Sequence, residues 1–247
     1  MVLKLIGHPV STCTKRVATV LNEKGVKFEL QCTYTHVPLY LTLVFVQHSH
    51  QLWKSRPQAT RIPWNQECTC LFCVNVWLYI CYKPFGQIPV LVDGDFVLYE
   101  SRAICRYIAR KYANQGTALI PSDEKELAIF DQAASVEQAA YDPYASAIAF
   151  EQVFKAWSGL SPDSERVKQL TAQLTATLNV YEKILAKQKY IGGNSYSLID
   201  IFHLPYTAML FNDSIKLGHL IIERPHVKAW WEDISSRQTW LDANKLQ

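Results

Sequence analysis

The first thirty residues restrict the fold more than any other part of the chain. Residues 2–6 (VLKLI) predict a short buried strand, and 26–30 (VKFEL) predict a second one. Between them, residues 11–25 (STCTKRVATVLNEKG) predict a helix that begins at polar capping residues and ends at Gly25. Two strands joined by a helix lie parallel in one sheet, with a right-handed crossover. The N-terminal part is therefore predicted to be an α/β unit.

A hairpin and a second helix complete this unit. Residues 88–99 (IPVLVDGDFVLY) predict two strands that meet at Asp93-Gly94, a strong turn signal. Residues 100–113 (ESRAICRYIARKYA) predict a helix, with apolar side chains on one face.

The rest of the chain predicts helices and no strands. Ser197 and Asp200 have the spacing of a capping box, and a bend or break is expected at Pro143. The helical patterns cover 124–157, 161–188, 197–210 and 223–243. The predicted class is α/β plus all-α: an α/β domain over 1–113, a linker over 114–122 and an all-helical domain over 123–247.

Charge and hydropathy exclude several function classes. The net charge is +3, and no block of Lys or Arg predicts nucleic-acid binding. The longest apolar runs, 37–46 and 68–82, are shorter than the roughly 18–20 residues that a membrane-spanning helix needs. The start lacks the pattern of a signal peptide, so we expect a reducing, cytoplasmic setting and no membrane partner.

Three segments of the α/β unit indicate one ligand site. Residues 7–17 (GHPVSTCTKRV) place hydroxyls and a thiol at a strand-to-helix turn, where the helix N-terminus stabilises negative charge. Pro89 begins a strand, where its preceding peptide bond can be cis and the neighbouring backbone can pair with an extended ligand. Glu100 and Ser101 begin a helix, which suits a ligand that carries both an ammonium and a carboxylate group.

These segments resemble the glutathione transferases, most closely the phi class of plants and fungi. The resemblance rests on GHPVSTCTKRV, PFGQIPVLVDGDFVLYESRAICRYIA and SLIDIFHLPY, and covers nearly the whole chain apart from 31–83. It implies a thioredoxin-like domain that binds glutathione and a helical domain that completes an apolar substrate site. It also implies a homodimer that conjugates glutathione to apolar electrophiles, with glutathione as co-substrate and no other cofactor or metal.

By the same resemblance, Ser11 is the catalytic hydroxyl, which donates a hydrogen bond to the glutathione sulfur and favours the thiolate. Gln87, Ile88 and Pro89 then hold the cysteinyl backbone of glutathione, and Glu100 and Ser101 hold its γ-glutamyl end. In the helical domain, an aromatic face with Tyr141 and Tyr144 is a candidate for the electrophile site, although such a face is more often core.

Alternatives remain open at this stage. Ser11 can simply cap its helix, and Glu100-Ser101 can be a helix start without a ligand. Cys13 could instead form a mixed disulfide with glutathione, which would make the protein a thiol transferase, although no Cys-x-x-Cys partner accompanies it. A non-catalytic protein that binds apolar ligands or docks partners on the same scaffold is the third possibility.

Residues 31–83 differ from their surroundings. They contain five of the seven cysteines, none of the nine glycines and one of the 22 acidic residues. They occupy the interval in which the phi class has a shorter connection with a His-Lys pair for the glycine carboxylate of glutathione. We hypothesise that the segment is translated non-coding sequence, such as a retained intron. A metal site at Cys68, Cys70 and Cys73 and a membrane-touching hairpin are the alternatives.

Overall fold

A computed structural model describes residues 2–32 and 85–246. Four strands form one sheet in the order β2-β1-β3-β4, made of β1 (Leu3–Gly7), β2 (Phe28–Cys32), β3 (Val90–Asp93) and β4 (Phe96–Tyr99). β1 and β2 are parallel, as the strand–helix–strand pattern predicted, and β3 is antiparallel to both β1 and β4. The hairpin turn carries Gly94 at φ 62°, a backbone conformation that favours glycine.

The second strand begins two residues later than predicted. The first helix, α1 (Thr12–Glu23), ends in a Schellman motif: Val26 N donates to Leu21 O at 2.9 Å, Gly25 N donates to Asn22 O at 3.0 Å, and Gly25 has φ 61°. Because this cap engages the Val26 amide, pairing with β1 starts at Phe28. The strand therefore includes Gln31 and Cys32, which the sequence assigned to the atypical segment.

The remaining elements of the described chain are helical. α2 (Ser101–Lys111) completes the α/β unit, and the all-helical part follows Asp123. The later helices are α3 (Glu124–Val136), α4 (Asp142–Ala149), α5 (Lys155–Trp157), α6 (Ser164–Leu185), α7 (Leu198–Leu210), α8 (His219–Ile222), α9 (Pro225–Ser235) and α10 (Gln238–Asn244). The predicted class, α/β plus all-α, is confirmed, and the Ser197–Asp200 capping box is present at the start of α7.

The chain does not break at Pro143. One π-helical turn, Glu137–Tyr141, joins α3 to α4, and a second, Phe150–Phe154, joins α4 to α5. Pro143 lies in the first turn of α4, directly after the π-helical turn that ends at Tyr141. The wider turn before it keeps the run helical from α3 to α5 and brings the Glu137 side chain into the core.

Polar contacts at the end of α1 join the two parts of the chain. Glu23, at the end of α1, is 4 % exposed and accepts two hydrogen bonds from Arg237, at 2.7 and 2.9 Å. Thr117 and Thr239 donate to the same carboxylate at 2.5 Å.

Among the helices of the described ranges, none is long and apolar enough to cross a membrane.

Candidate functional site

A cavity of about 310 Å³ brings together most of the residues that the sequence nominated. Its wall includes Cys13 from α1, the loop before β3 and the start of α2. The nominated residues that line it are Cys13, Gln87, Ile88, Pro89, Glu100 and Ser101. The Ile88–Pro89 bond is cis, as the sequence allowed.

The cavity is also lined by residues that sequence reasoning did not select. Phe85, Tyr99 and Tyr206 supply aromatic surface, and Arg102, Asp142 and Ser146 supply polar groups. Tyr206 and Asp142 come from the helical part, so the cavity lies between the two parts of the chain. An aromatic and a polar region side by side suit a ligand with an apolar group and a charged end.

Ser11 lies at the same turn as Cys13 but is not among the described residues that line the cavity. It is the N-cap of α1, and its side-chain oxygen accepts a hydrogen bond from Thr14 N at 3.3 Å. This bond uses a lone pair and not the hydroxyl hydrogen. Within the described ranges no hydrogen bond uses that hydrogen, so Ser11 can cap its helix and still donate to an anion.

Glu100 has an uncommon backbone conformation, with φ 69° and ψ 107°, and is the N-cap of α2. A side chain at positive φ costs of order 1–3 kcal/mol and persists where the surrounding structure holds it in place. The Glu100 side chain does not cap α2, so the amides of the first turn keep their donors. The strained residue therefore lies beside the start of a helix that favours an anionic ligand group.

Ser101 is held by a buried arginine. Its side chain is 6 % exposed, and its oxygen accepts a hydrogen bond from Arg16 Nη1 at 2.9 Å. The Arg16 guanidinium is fully buried and also lies 3.5 Å from Cys13 Sγ.

Arg102 connects the cavity wall to the core through two carboxylates. Its Nη2 lies 2.7 Å from Glu137 Oε1 and 2.8 Å from Asp142 Oδ1. Burial by itself would raise the pKa of Glu137, but hydrogen bonds from Arg102 offset it and the net pKa is below its ordinary value. Glu137 therefore stays ionised near neutral pH, as a fixed anchor for Arg102.

Tyr141 does not reach the cavity, so its assignment to an electrophile site is corrected. It is 1 % exposed, its hydroxyl bonds to Thr207 Oγ1 at 2.6 Å, and its ring stacks on Tyr181 with centroids 6.0 Å apart. Burial raises the pKa of the Tyr141 phenol well above its ordinary value. Tyr144 is half-buried against the core, and it is not among the described residues that line the cavity. The aromatic face is thus mainly core, because α4 packs against α6 and α7 on that side.

Several sequence hypotheses lie outside the described residues. These are the cysteine cluster (Cys68, Cys70 and Cys73) and nearly all of the segment 31–83. Within 2–32 and 85–246, no group of His, Cys, Asp or Glu is arranged to hold a metal ion.

Two residues at the site, Arg16 and Tyr206, have a signal in the sequence. Arg16 is the one cation of α1 that falls in line with Val17 and Val20 on the buried side, a position where charge is rare unless it is paired. Tyr206 follows Pro205 inside a mostly apolar helix. Both signals are local, but neither says which neighbours the side chain meets.

Comparisons with known proteins agree with this geometry. The model of the glutathione S-transferase N-terminal domain matches residues 10–111, and the model of the C-terminal domain matches 137–238. Glutathione S-transferase PM239X14 of Arabidopsis thaliana is 40% identical over 233 residues, which cover 93% of this chain and 89% of the relative. The crystal structure of glutathione transferase F7 from Populus trichocarpa superposes with a TM-score of 0.77 at 36% identity, covering 98% of this chain and 97% of that one.

The chain therefore belongs to the glutathione S-transferase family, with a thioredoxin-like N-terminal domain and a helical C-terminal domain. Its plant relatives confirm the resemblance to the phi class. A solved complex of maize glutathione S-transferase I with an atrazine glutathione conjugate is also similar, with a TM-score of 0.75, 28% identity and coverage of 99% of this chain and 97% of that one.

Proposed function

We propose that this protein conjugates the thiolate of glutathione to small apolar electrophiles, with Ser11 as the hydroxyl that stabilises the thiolate. The observation that carries the proposal is the convergence of three separate segments on one cavity: the start of α1, the cis-Pro loop and the start of α2. Names of the relatives support the reaction class.

The chain's own groups suit this chemistry. A free cysteine thiol has a pKa near 8.5, so little thiolate forms at neutral pH. A hydroxyl hydrogen at Ser11 and the positive end of α1 both stabilise the anion and lower that pKa. Gln87, Ile88 and Pro89 are proposed to hold the cysteinyl backbone, and Glu100 and Ser101 the γ-glutamyl end. Phe85 and Tyr206 offer the electrophile an aromatic surface.

The test compares Ser11→Ala with the parent chain in a conjugation assay with reduced glutathione and an aromatic halide. A charge-assisted hydrogen bond is worth about 1.5–3 kcal/mol, so we expect kcat/KM to fall roughly 10- to 100-fold at neutral pH. Glutathione should still raise the unfolding temperature of the variant, because the binding groups remain. A parent chain that binds glutathione but never turns over would favour the non-catalytic scaffold.

Cys13 supports a second candidate, a thiol transferase. Unlike Ser11, Cys13 lines the cavity, and a buried guanidinium lies 3.5 Å from its sulfur. The Cys13 thiolate would attack a glutathione mixed disulfide, form a disulfide with the glutathione sulfur and release the partner as a thiol. A second glutathione would then attack that disulfide, releasing oxidised glutathione and restoring the thiol. Cys13→Ser should abolish disulfide reduction if this reaction operates, and should leave conjugation intact if Ser11 is the working residue.

Three further properties belong to the proposal. A homodimer is supported by an exposed aromatic side chain on the edge strand β4, where Phe96 is 47% exposed; light scattering on the purified chain tests it. A cytoplasmic setting is supported by the free thiols Cys13, Cys32 and Cys105, and imaging of a tagged chain tests it. No cofactor besides co-substrate glutathione is proposed, so activity should survive dialysis against a chelator.

A further inference from the structure

Arg16 is a charged residue buried in the core, which its position in the sequence does not explain. The side chain is fully buried, although an ionised group loses its hydration there and is tolerated only when it is well paired. Its guanidinium donates to Ser101 Oγ at 2.9 Å and to the Phe202 carbonyl at 3.1 and 3.3 Å. Asp142 Oδ1 lies 3.7 Å from the same group. Arg16 thus joins α1, the start of α2 and the helical domain at one point.

The bond to Ser101 determines where the Ser101 hydroxyl hydrogen points. A serine hydroxyl has one donor hydrogen and two acceptor lone pairs. Since an Arg16 N–H occupies a lone pair, the hydroxyl hydrogen must turn away from the guanidinium. Within the described ranges no acceptor takes it, and Ser101 lines the cavity. The hydrogen is therefore available to a carboxylate of a ligand in the cavity, next to the uncapped amides of α2.

The bonds to Phe202 hold the guanidinium in place. Phe202 lies three residues before Pro205, which is inside α7. Pro205 has no N–H to donate to the Ile201 carbonyl four residues earlier, and Phe202 is the next residue on that turn. Arg16 Nε and Nη2 both donate to the Phe202 carbonyl, and the guanidinium also lies 5.9 Å from the Tyr206 ring centre, beside the cavity. The planar guanidinium serves these separated partners at once, which a lysine ammonium on a flexible stem cannot do.

We propose that Arg16 is a positioning residue for glutathione binding: it orients the Ser101 hydroxyl toward the carboxylate at the γ-glutamyl end of glutathione. This inference rests on the glutathione-binding function proposed above. Arg16 acts through Ser101 and does not itself touch the ligand. The two side chains should therefore behave as one unit in binding, and the loss of either should cost about the same.

The experiment is a double-mutant cycle with Arg16→Lys and Ser101→Ala, read as the Kd of reduced glutathione by calorimetry. We expect each single variant to weaken binding roughly tenfold, or about 1.4 kcal/mol. The double variant should bind no more weakly than Ser101→Ala alone. The KM for glutathione should rise in Arg16→Lys while kcat at saturating glutathione stays within about twofold, a split that general destabilisation does not produce.

Arg237→Lys is the matched control. It changes another arginine that joins the two domains, at Glu23, away from the cavity. We expect it to lower the unfolding temperature and leave the Kd for glutathione unchanged. Additive losses in the cycle, or parent-like binding by Arg16→Lys, would overturn the proposal.

Folding failure of Arg16→Lys does not leave the proposal untested. Arg16→Met removes the buried charge and keeps apolar volume, which proteins often tolerate, and it should show the same tenfold loss. Ser101→Ala is an independent test. If that variant binds glutathione as tightly as the parent chain, the Ser101 hydroxyl does not bind the ligand and Arg16 cannot act through it. A parent chain that shows no glutathione binding would contradict the proposed function itself, which separates the two failures.

Discussion

The side-chain oxygen of Ser11 accepts a hydrogen bond from Thr14 N at 3.3 Å, so the predicted catalytic hydroxyl is also the N-cap of α1. The two roles use different parts of one group: capping uses a lone pair, and stabilisation of a thiolate uses the hydrogen. A variant that loses activity could therefore have lost either contribution.

Ser11→Asp separates the two roles. Aspartate caps a helix as well as serine does, but an ionised carboxylate has no hydrogen to donate and repels a thiolate. We expect its stability to stay within about 0.5 kcal/mol of the parent and its conjugation rate to fall at least as far as that of Ser11→Ala. Ser11→Ala should lose about 1 kcal/mol of stability as well. Denaturant unfolding and kcat/KM, measured on the same samples, test this; an active Ser11→Asp enzyme would exclude the hydroxyl donor.

Substitutions of Glu100 should change stability and glutathione binding in different ways. Its φ of 69° strains any residue with a side chain, and glycine adopts that conformation freely. We expect Glu100→Gly to be more stable than Glu100→Ala by about 1 kcal/mol, as measured by denaturant unfolding. Both variants lack the carboxylate, so both should bind glutathione more weakly than the parent chain. Equal stability of the two variants would show that the backbone at this position carries no strain.

The Glu137–Arg102 pair should make stability depend on acid pH. The pKa of Glu137 is lowered below its ordinary value of 4.5, so the folded state binds its proton less tightly than the unfolded state does. The contribution of ionised Glu137 to the free energy of unfolding is then fully present above about pH 4.5. It is lost as the pH falls through the lower, folded-state pKa.

Glu137→Gln tests this sign. The change leaves Arg102 without one partner of a buried pair, and we expect a loss of about 3 kcal/mol at neutral pH. The difference from the parent chain should shrink as the pH falls below about 4.5. Glu124→Gln, at an exposed position in the first turn of α3, is the control and should change stability by a few tenths of a kcal/mol. If the difference in the free energy of unfolding between Glu137→Gln and the parent does not change with pH, the lowered pKa assigned to Glu137 is wrong.

Tyr206 and Tyr141 should respond differently to substitution. Tyr206 lines the cavity, so Tyr206→Leu should raise the KM for an aromatic electrophile several-fold. Tyr141→Phe removes a buried hydrogen bond to Thr207 and should lower stability by about 1–1.5 kcal/mol without changing that KM. Steady-state kinetics with the electrophile varied test both. A changed KM for the electrophile in Tyr141→Phe would mean that the aromatic face with Tyr141 and Tyr144 does contribute to the electrophile site.

The sequence by itself determined the parts of the protein that depend on local chemistry. The βαβ start, the Asp93-Gly94 hairpin and the Ser197–Asp200 capping box are contained in short stretches, since periodicity, turn residues and caps act over a few positions. The motifs GQIP and ESR likewise nominated residues that the structure places on one cavity wall. Local patterns did not give the boundaries: β2 starts later because of the cap that ends α1, and a π-helical turn just before Pro143 continues the helix into α4.

Only the tertiary structure decided which side chains meet. Arg16 and Ser101 are 85 positions apart, and Arg16 and Phe202 are 186 apart, so no local pattern could connect them. Tyr141 and Tyr206 look alike in the sequence, yet one is enclosed by α6 and α7 and the other faces the cavity. The physical reason is that burial and pairing depend on how helices pack across the domain boundary, and that packing is set by the whole chain rather than by neighbours in sequence.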